Sequence, residues 1–172
     1  RSQRSLVGEI SKRFEQASLK LVGMKMFVPD RERATKHYGK DDEWCEQKGQ
    51  GMIENIQKDG GEATKPAVEY GRDIVTQLLD YITAGPVVAM VLEGHNAVGV
   101  VKKLVGETQP TTSDVGTIRG DYTIDSYELA NLQQRSVRNL IHCTGEPEES
   151  DFEVGLWFQP EELDRKSTRL NS

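Results

Sequence analysis

The chain has 172 residues, of which 35% are hydrophobic, 29% charged and 6% aromatic, a composition typical of a globular protein rather than a disordered or fibrous one. This length predicts one compact domain with a buried core. The net charge of −6 at pH 7 argues against a general nucleic-acid binder, which needs a basic surface. A small phosphorylated ligand stays compatible with it, because a local basic pocket can lie on an acidic protein.

The chain opens with a helical pattern followed by an extended one. Residues 6–17 place apolar side chains at helical spacing with charged residues between them, and therefore predict a helix. Residues 19–28 alternate apolar with polar or small residues and predict a strand that is covered on much of both faces. Pro29 is expected to end this strand.

A long polar segment separates this strand from the next clear helix. Residues 31–59 are helix-prone, with breaks predicted at Gly39, Gly49 and Gly51. Residues 60–66 contain a glycine pair and a Lys-Pro step and predict a connector. Residues 70–81 then predict an amphipathic helix.

The second half contains the longest apolar run, residues 86–92, which is too short to cross a bilayer and predicts a buried strand. After this run, the sequence predicts a helix from residue 95 or 96 to 104, closed by Gly106. A turn-rich segment at 108–121 and an irregular or partly helical loop at 122–137 follow. The last predicted elements are a helix start at 146–151 and a strand at 152–158. This mixture of helices and strands predicts a small α+β fold.

The two cysteines, Cys45 and Cys143, lie far apart and lack the spacing of a metal site. They can form a disulfide, but reduced thiols of a cytoplasmic protein are the favoured interpretation.

The sequence lacks the phosphate-binding Gly-Lys-Ser/Thr loop, the dinucleotide glycine fingerprint and the usual zinc motifs. Any handling of phosphate must therefore rest on side chains. His142 is the candidate nucleophile, provided that its ring is neutral and a carboxylate or hydroxyl accepts its other N–H group. Glu153 or Thr144 can supply that acceptor. A single histidine near an apolar segment is more often structural, so the residues alone leave both roles open.

Other candidate residues also have two interpretations. Arg119, in a predicted glycine-flanked turn, either points its guanidinium into a cleft or pairs with Asp121 or with a helix end. Thr108 either caps a helix or donates to a phosphate oxygen. Lys102 is either a further candidate on the preceding helix or an ordinary solvated residue. Tyr38 either places its hydroxyl near the same cleft or ends a helix.

Taken jointly, six segments resemble the nucleoside diphosphate kinase family and occur in the family's order. The segments are residues 4–10, 85–91, 106–108, 116–121, 138–142 and 156–163. The resemblance covers most of the chain up to Leu163. It implies a ferredoxin-like α+β fold, with helices on one face of an antiparallel sheet and the family's first strand missing from this chain.

The same resemblance implies the transfer of the terminal phosphate from a nucleoside triphosphate to a nucleoside diphosphate. His142 would carry the phosphate as a covalent intermediate, with Glu153 and Thr144 orienting the ring. The implied nucleotide-binding residues are Tyr38, Ile74, Leu78, Lys102, Thr108, Arg119 and Asn139. A non-catalytic nucleotide-binding or scaffold relative is the alternative.

Within that set, Arg119, Thr108 and Tyr38 would hold the phosphates, which Mg²⁺ bridges without a metal site on the protein. Asn139 would bind the sugar hydroxyls. The base would lie against Ile74, where the family commonly has an aromatic ring, and against Leu78. Lys102 stands where the family usually has arginine. ATP and other nucleoside di- and triphosphates are the implied partners, neither a membrane nor a specific nucleic acid is expected, and the implied assembly is a homo-tetramer or homo-hexamer.

The resemblance also marks departures from the family. A family strand ending in a phosphate-binding lysine would lie before Arg1, so the chain as printed is expected to be truncated and to turn over little. The kinase domain is expected to span residues 1–163, with insertions at about 39–69 and 122–137. Residues 164–172 lack periodicity and are expected to be a non-native tail.

Overall fold

The computed structural model describes residues 5–58 and 60–164. The chain divides into two compact units, and the assignment of residues 1–163 to one kinase domain stays a prediction. The first unit comprises the described residues up to Val28 together with those from Pro86 onward, and the second comprises residues 29–85. Most of the proposed tail, residues 165–172, lies outside the described residues.

The elements of the described chain follow one another in the order α1 (Val7–Gln16), β1 (Lys20–Phe27), α2 (Arg31–Tyr38), α3 (Asp42–Lys58), α4 (Ala67–Thr83), β2 (Val87–Glu93), α5 (Ala97–Val105), α6 (Ile118–Tyr122), α7 (Tyr127–Leu132) and α8 (Pro147–Trp157), with 3-10 turns at Pro110–Thr112 and Pro160–Glu162. The helices predicted at 6–17, 70–81 and 96–104 and both strands of the 19–28 and 87–92 patterns are confirmed. The loop predicted at 122–137 contains α7 and is therefore partly helical, as expected.

The core of the first unit lies between α1, α5 and α6. Its buried residues are Ile10, Phe14, Leu19, Val105 and Ile118, and Met90 and Leu92 of β2 pack against them. Gly106 ends α5 with φ +87°, a conformation that glycine adopts without the strain of a Cβ atom. Helix α5 therefore stops at the loop that carries Thr108.

Strands β1 and β2 form an antiparallel pair in which Met24 lies opposite Met90. A bulge between Leu21 and Gly23 interrupts the register. The carbonyl of Val22, at this bulge, accepts a hydrogen bond from the amide of Asp164 at 2.7 Å. Asp164 is thus connected to β1 although it is exposed, and the assignment of residues 164–172 to a non-native tail stays a prediction.

The prediction that the first strand is covered on much of both faces is wrong for its second half. Gly23 lies against Phe158 and Leu163, and Phe27 lies 5.5 Å from the ring of Trp157 between centroids, so one face is covered. On the other face Met24 is 41% exposed and Met26 65% exposed. An apolar strand pattern alone does not reveal how far the covering elements extend along it.

The last strand predicted at residues 152–158 is wrong, because residues 152–157 complete α8 and Phe158 directly follows it. Pro147 occupies the first turn, and the side chains of Glu146 and Glu149 form a reciprocal capping box with backbone amides. These signals start a helix ahead of the apolar run. The run itself is too short for its spacing to distinguish a helix from a strand.

In the second unit, Gly39 ends α2, as predicted, but Gly49 and Gly51 lie inside α3. A Cβ atom at Gly49 would overlap the carbonyl oxygen of Ala67 at the start of α4, and one at Gly71 of α4 would overlap that of Cys45. These glycines allow two helix backbones to approach closely. Their role is therefore packing rather than helix termination. None of the described helices combines the length and apolar character that a membrane span requires.

Candidate active site

His142 lies in the irregular segment that connects α7 to α8. Its neighbours Ile141 and Cys143 both pack against the core of the first unit, whereas His142 itself is exposed. Just before it, Leu140 has φ +70°, and the amide of Ile141 donates to the carbonyl of Asn139 at 2.8 Å. This tight three-residue turn is a conformation that persists only where the surroundings enforce it. The segment therefore presents the imidazole from an anchored backbone.

Thr144 and Glu153 lie beside this histidine, as the sequence predicted. The Thr144 hydroxyl donates to Glu153 Oε2 at 2.6 Å, and a carboxylate oxygen of Glu153 lies within 4.8 Å of a ring nitrogen of His142. Glu153 projects from α8, whose start is fixed by its capping box. At this separation a carboxylate stabilises positive charge on an imidazole. The arrangement can orient a nucleophilic ring and hold its charge.

Arg119 connects two backbone segments of the site through hydrogen bonds from its guanidinium. It lies on α6 rather than in a free turn, which corrects the sequence prediction, because the Thr117 hydroxyl caps this helix by accepting from the Gly120 amide at 3.1 Å. Only 6% of Arg119 is exposed. Its guanidinium donates to the carbonyl of Gly106 at 3.0 Å and to that of Ile141 at 2.7 Å.

These two contacts place one permanently charged fork between two segments of the site. Ile141 directly precedes His142, and Gly106 directly precedes the Glu107-Thr108 pair. Arg119 therefore holds the backbone next to the candidate nucleophile. The sequence offered an ion pair between Arg119 and Asp121 as the alternative. In the structure, Asp121 forms an ion pair with Arg13.

Asn139 and Thr108 are also brought together. The Asn139 side-chain amide donates to the carbonyl of Thr108 at 3.2 Å, and Thr108 is exposed. The loop after α5 is thus connected to the segment that carries His142 both by Arg119 and by Asn139.

Lys102 lies in the last turn of α5. Its ammonium group donates to the carbonyl of Gly145 at 2.7 Å and lies 3.3 Å from a carboxylate oxygen of Glu146. Lys102 thus contacts the loop that follows Thr144 instead of standing only in solvent. Its half-exposed side chain leaves a positive charge near the site.

The remaining predicted residues lie in the second unit. Tyr38 ends α2 and is half-buried, with its ring edge-on to that of His37 at 4.7 Å between centroids. Ile74 and Leu78 are half-buried residues one turn apart on α4. Their assignment to phosphate and base stays a prediction.

Asp125 is a residue that the sequence analysis missed. Its carboxylate accepts two hydrogen bonds from the Arg135 guanidinium, at 2.6 and 2.9 Å, and one from the Arg138 amide at 2.6 Å. Pairing with Arg135 outweighs burial and lowers the pKa of Asp125 to about 2. Asp125 therefore anchors the backbone four residues before His142. The sequence signal that could have indicated this pair is the presence of Asp125 and Arg135 within a segment otherwise rich in Gln, Asn and Ser.

Cys143, next to the candidate nucleophile, acts as a packing residue. It contacts the core of the first unit, and burial raises the pKa of its thiol, although Arg119 and Lys102 oppose this effect. The thiol is therefore neutral at physiological pH and is a poor nucleophile.

Comparison with known proteins gives a consistent result. The family model described as nucleoside diphosphate kinase matches residues 2–56 and 67–163. The nucleoside diphosphate kinase of Pyrobaculum aerophilum is 44% identical over 165 residues, which cover 93% of this chain and 90% of that protein. The corresponding enzyme of Thermococcus kodakarensis is 40% identical over 93% of this chain and 72% of its own length.

Solved structures agree with the sequence comparisons. The crystal structure of the NDP kinase from Pyrobaculum aerophilum superposes with a TM-score of 0.87 at 42% identity, covering 93% of this chain and 91% of that one. A transition-state mimic of the Borrelia burgdorferi nucleoside-diphosphate kinase with bound vanadate and ADP gives a TM-score of 0.73 at 29% identity, covering 94% and 83% of the two chains.

Proposed function

This chain belongs to the nucleoside diphosphate kinase family, and from that premise we propose that it transfers the terminal phosphate of a nucleoside triphosphate to a nucleoside diphosphate through His142. The observation that carries the proposal is the cluster of His142, Thr144 and Glu153. A binding module or scaffold has no need of an imidazole on an anchored backbone beside a carboxylate that is itself fixed by a hydroxyl.

The reaction divides into two matched steps. A ring nitrogen of His142 attacks the terminal phosphorus, so that a P–N bond forms as the P–O bond to the preceding phosphate breaks and the diphosphate leaves. A terminal oxygen of a second nucleoside diphosphate then attacks the same phosphorus, which releases the neutral imidazole. Glu153 stabilises the ring while it carries positive charge, and Thr144 keeps the carboxylate in place.

Phosphate binding is assigned to donors of the first unit. Phosphoryl transfer depends chiefly on alignment and on neutralising oxygen charge, and the exposed Thr108 and the half-exposed Lys102 can supply donors for that purpose. Arg119 adds a permanent positive charge beside the nucleophile, and Asn139 is proposed to bind the sugar. Tyr38 is proposed as a further phosphate donor, with Ile74 and Leu78 against the base.

Mg²⁺ fits this site as a companion of the nucleotide. The side chains near His142 are mostly donors, which suit phosphate oxygens rather than a metal ion, and the Glu153 carboxylate is engaged by Thr144. Mg²⁺ commonly binds through substrate phosphates with few protein ligands. When bound, it would offset phosphate charge, while the residues of this chain orient the nucleotide.

A homo-oligomer, either a tetramer or a hexamer, is part of the proposal. The exposed apolar side chains of Met24, Met26 and Val28 along the end of β1 support it, because such patches commonly mark protein interfaces. Light scattering coupled to size exclusion measures the mass, and Met26→Lys is expected to lower it. A monomeric wild-type protein would contradict this part. We further propose a cytoplasmic location, which the free thiols of Cys45 and Cys143 favour.

The deciding experiment incubates the full-length protein with ATP labelled at the γ-phosphate. We expect an acid-labile, base-stable label on the protein that GDP removes. His142→Gln should abolish the label, whereas His95→Gln, which alters an exposed histidine just before α5, should retain it. Tight nucleotide binding without label in the wild-type protein would instead support the non-catalytic nucleotide-binding alternative.

A further inference from the structure

A polar cluster at the C-terminal end of α6 connects this helix to α1. The guanidinium of Arg13 on α1 lies 2.8 Å from Asp121 Oδ2, donates to the Tyr122 hydroxyl at 2.7 Å and donates to the Gly116 carbonyl at 3.2 Å. It also lies 4.6 Å from the centroid of the Tyr122 ring. One side chain thus contacts both ends of the segment that contains α6.

The partners of Arg13 are themselves connected. The Tyr122 hydroxyl lies 3.1 Å from a carboxylate oxygen of Glu9 on α1, and Asp121 Oδ1 accepts from the Gly116 amide at 2.8 Å. The Gly116 amide and the Arg13 guanidinium both lower the pKa of Asp121, so its carboxylate is charged at neutral pH. The cluster is therefore a set of mutually supporting contacts rather than one surface ion pair.

Helix α6 needs such support because it contains only five residues. A helix of this length is not stable by itself, so tertiary contacts must set its orientation. Ile118 anchors one side in the core, and Arg13 holds its C-terminal end. Between these two points lies Arg119, whose guanidinium reaches the carbonyl next to His142.

We propose that Arg13 is a positioning residue for the transfer reaction, acting through α6 and Arg119 on the backbone of His142. This inference rests on the proposed function of His142. Arg13 contacts neither the nucleophile nor its carboxylate partner. Its loss should loosen α6, lower the accuracy with which Arg119 holds the Ile141 carbonyl, and slow phosphate capture at saturating nucleotide, since small misplacements of reacting groups are costly.

The test compares Arg13→Gln with Lys12→Gln, which removes a neighbouring positive charge from the exposed side of the same helix. In the full-length protein at saturating ATP, Arg13→Gln should lower the rate constant of phosphohistidine formation about 10-fold, whereas Lys12→Gln should not change it. Tyr122→Phe, which keeps the ring but loses the hydroxyl, should give a smaller decrease. It also carries the test if Arg13→Gln does not fold.

A second measurement does not depend on activity. The ring-proton NMR resonance of His142 should shift or broaden in Arg13→Gln, while that of the exposed His95 serves as an internal reference. A lower unfolding temperature with an unchanged rate constant and an unchanged His142 resonance would mean that Arg13 only stabilises the fold, and would overturn the inference. If the wild-type protein takes no label, the proposed function fails. The His142 resonance then decides alone whether Arg13 holds the backbone of His142 in place.

Discussion

In the second unit, α3 and α4 meet backbone to backbone, whereas in the first unit the segments around His142 are held by side-chain donors on backbone carbonyls. At the helix contact, Gly49 lies against Ala67 and Gly71 against Cys45 with no room for a Cβ atom. At the candidate site, the guanidinium of Arg119 holds two segments together by donating hydrogen bonds to their backbone carbonyls.

This difference predicts opposite sensitivities. A closely packed helix pair is damaged by added volume, because neither backbone can move without breaking its own hydrogen bonds. An irregular segment held by buried donors is damaged by the loss of a donor, because its carbonyls are then left without a partner. Paired variants can test each half of this comparison.

The largest effect is expected in the second unit, from Gly49→Ala. The added methyl group would overlap the Ala67 carbonyl, so we expect a loss of about 3 kcal/mol in the free energy of unfolding. Urea denaturation followed by circular dichroism measures it.

Gly51→Ala is the matched control, two residues along α3, where a Cβ atom would meet nothing within 4 Å. Alanine has the higher helix propensity, so this change should stabilise the protein by about 0.5–1 kcal/mol. Equal effects of the two substitutions would show that helix propensity, and not the close approach, governs this position.

The next effect concerns a buried acceptor of the first unit, the Asp125 carboxylate, whose loss leaves its donors without their charged partner. Asp125→Asn removes the charge that accepts from Arg135 and Arg138, and should cost about 2 kcal/mol at pH 7, given 1.36 kcal/mol per pKa unit. The folded-state pKa of about 2 lies below the unfolded value. The stabilisation is therefore present above pH 4 and is lost as the pH falls toward 2.

Urea midpoints measured between pH 7 and pH 2 should show the wild type and Asp125→Asn converging as the pH falls. Asp80→Asn, which removes the acid of the exposed Arg31–Asp80 pair in the second unit, should change stability little at any pH, since exposed ion pairs contribute little. A constant gap between the wild type and Asp125→Asn down to pH 2 would contradict the assignment of the effect to charge.

The elements that the sequence predicted correctly are those with local signals. Residues 6–17 carry a helical apolar spacing, and Gly106 closes α5, so each boundary is encoded near where it occurs. The strand wrongly predicted in place of the second half of α8 also came from a local signal. The apolar residues at 154–158 were given more weight than the capping box that precedes them. Gly49 was misjudged because its role depends on Ala67, which only packing brings close.

The candidate site shows the same limit. The residue types and the family resemblance pointed to His142, Thr144 and Glu153, and the structure brings these three together. The buried contacts of Arg119, in contrast, join residues 13 and 22 positions apart in the chain. No local pattern specifies such pairs, and the brace by Arg13 was missed for this reason.

A smaller effect should follow from Thr144→Val, which keeps the side-chain shape but removes the donor to Glu153. We expect about a 10-fold lower rate constant for phosphohistidine formation, equivalent to 1.4 kcal/mol, with a small change in unfolding temperature. Rapid quenching with labelled ATP measures the rate. Thr76→Val, which removes a hydroxyl from α4 that donates to the Arg72 carbonyl, is the control in the second unit. Equal rates in both variants would remove Thr144 from the site.

The smallest effect is expected at Lys102, whose side chain is 48% exposed. Lys102→Gln should raise the KM for the nucleotide a few-fold with little change in kcat, because an exposed charge contributes at most about 1 kcal/mol. The effect should weaken as salt concentration rises. Lys103→Gln, at the adjacent exposed position of α5, should leave KM unchanged. If both substitutions raise KM equally, the positive charge of this helix end attracts the nucleotide generally, and the contact of Lys102 with the loop after Thr144 has no specific role.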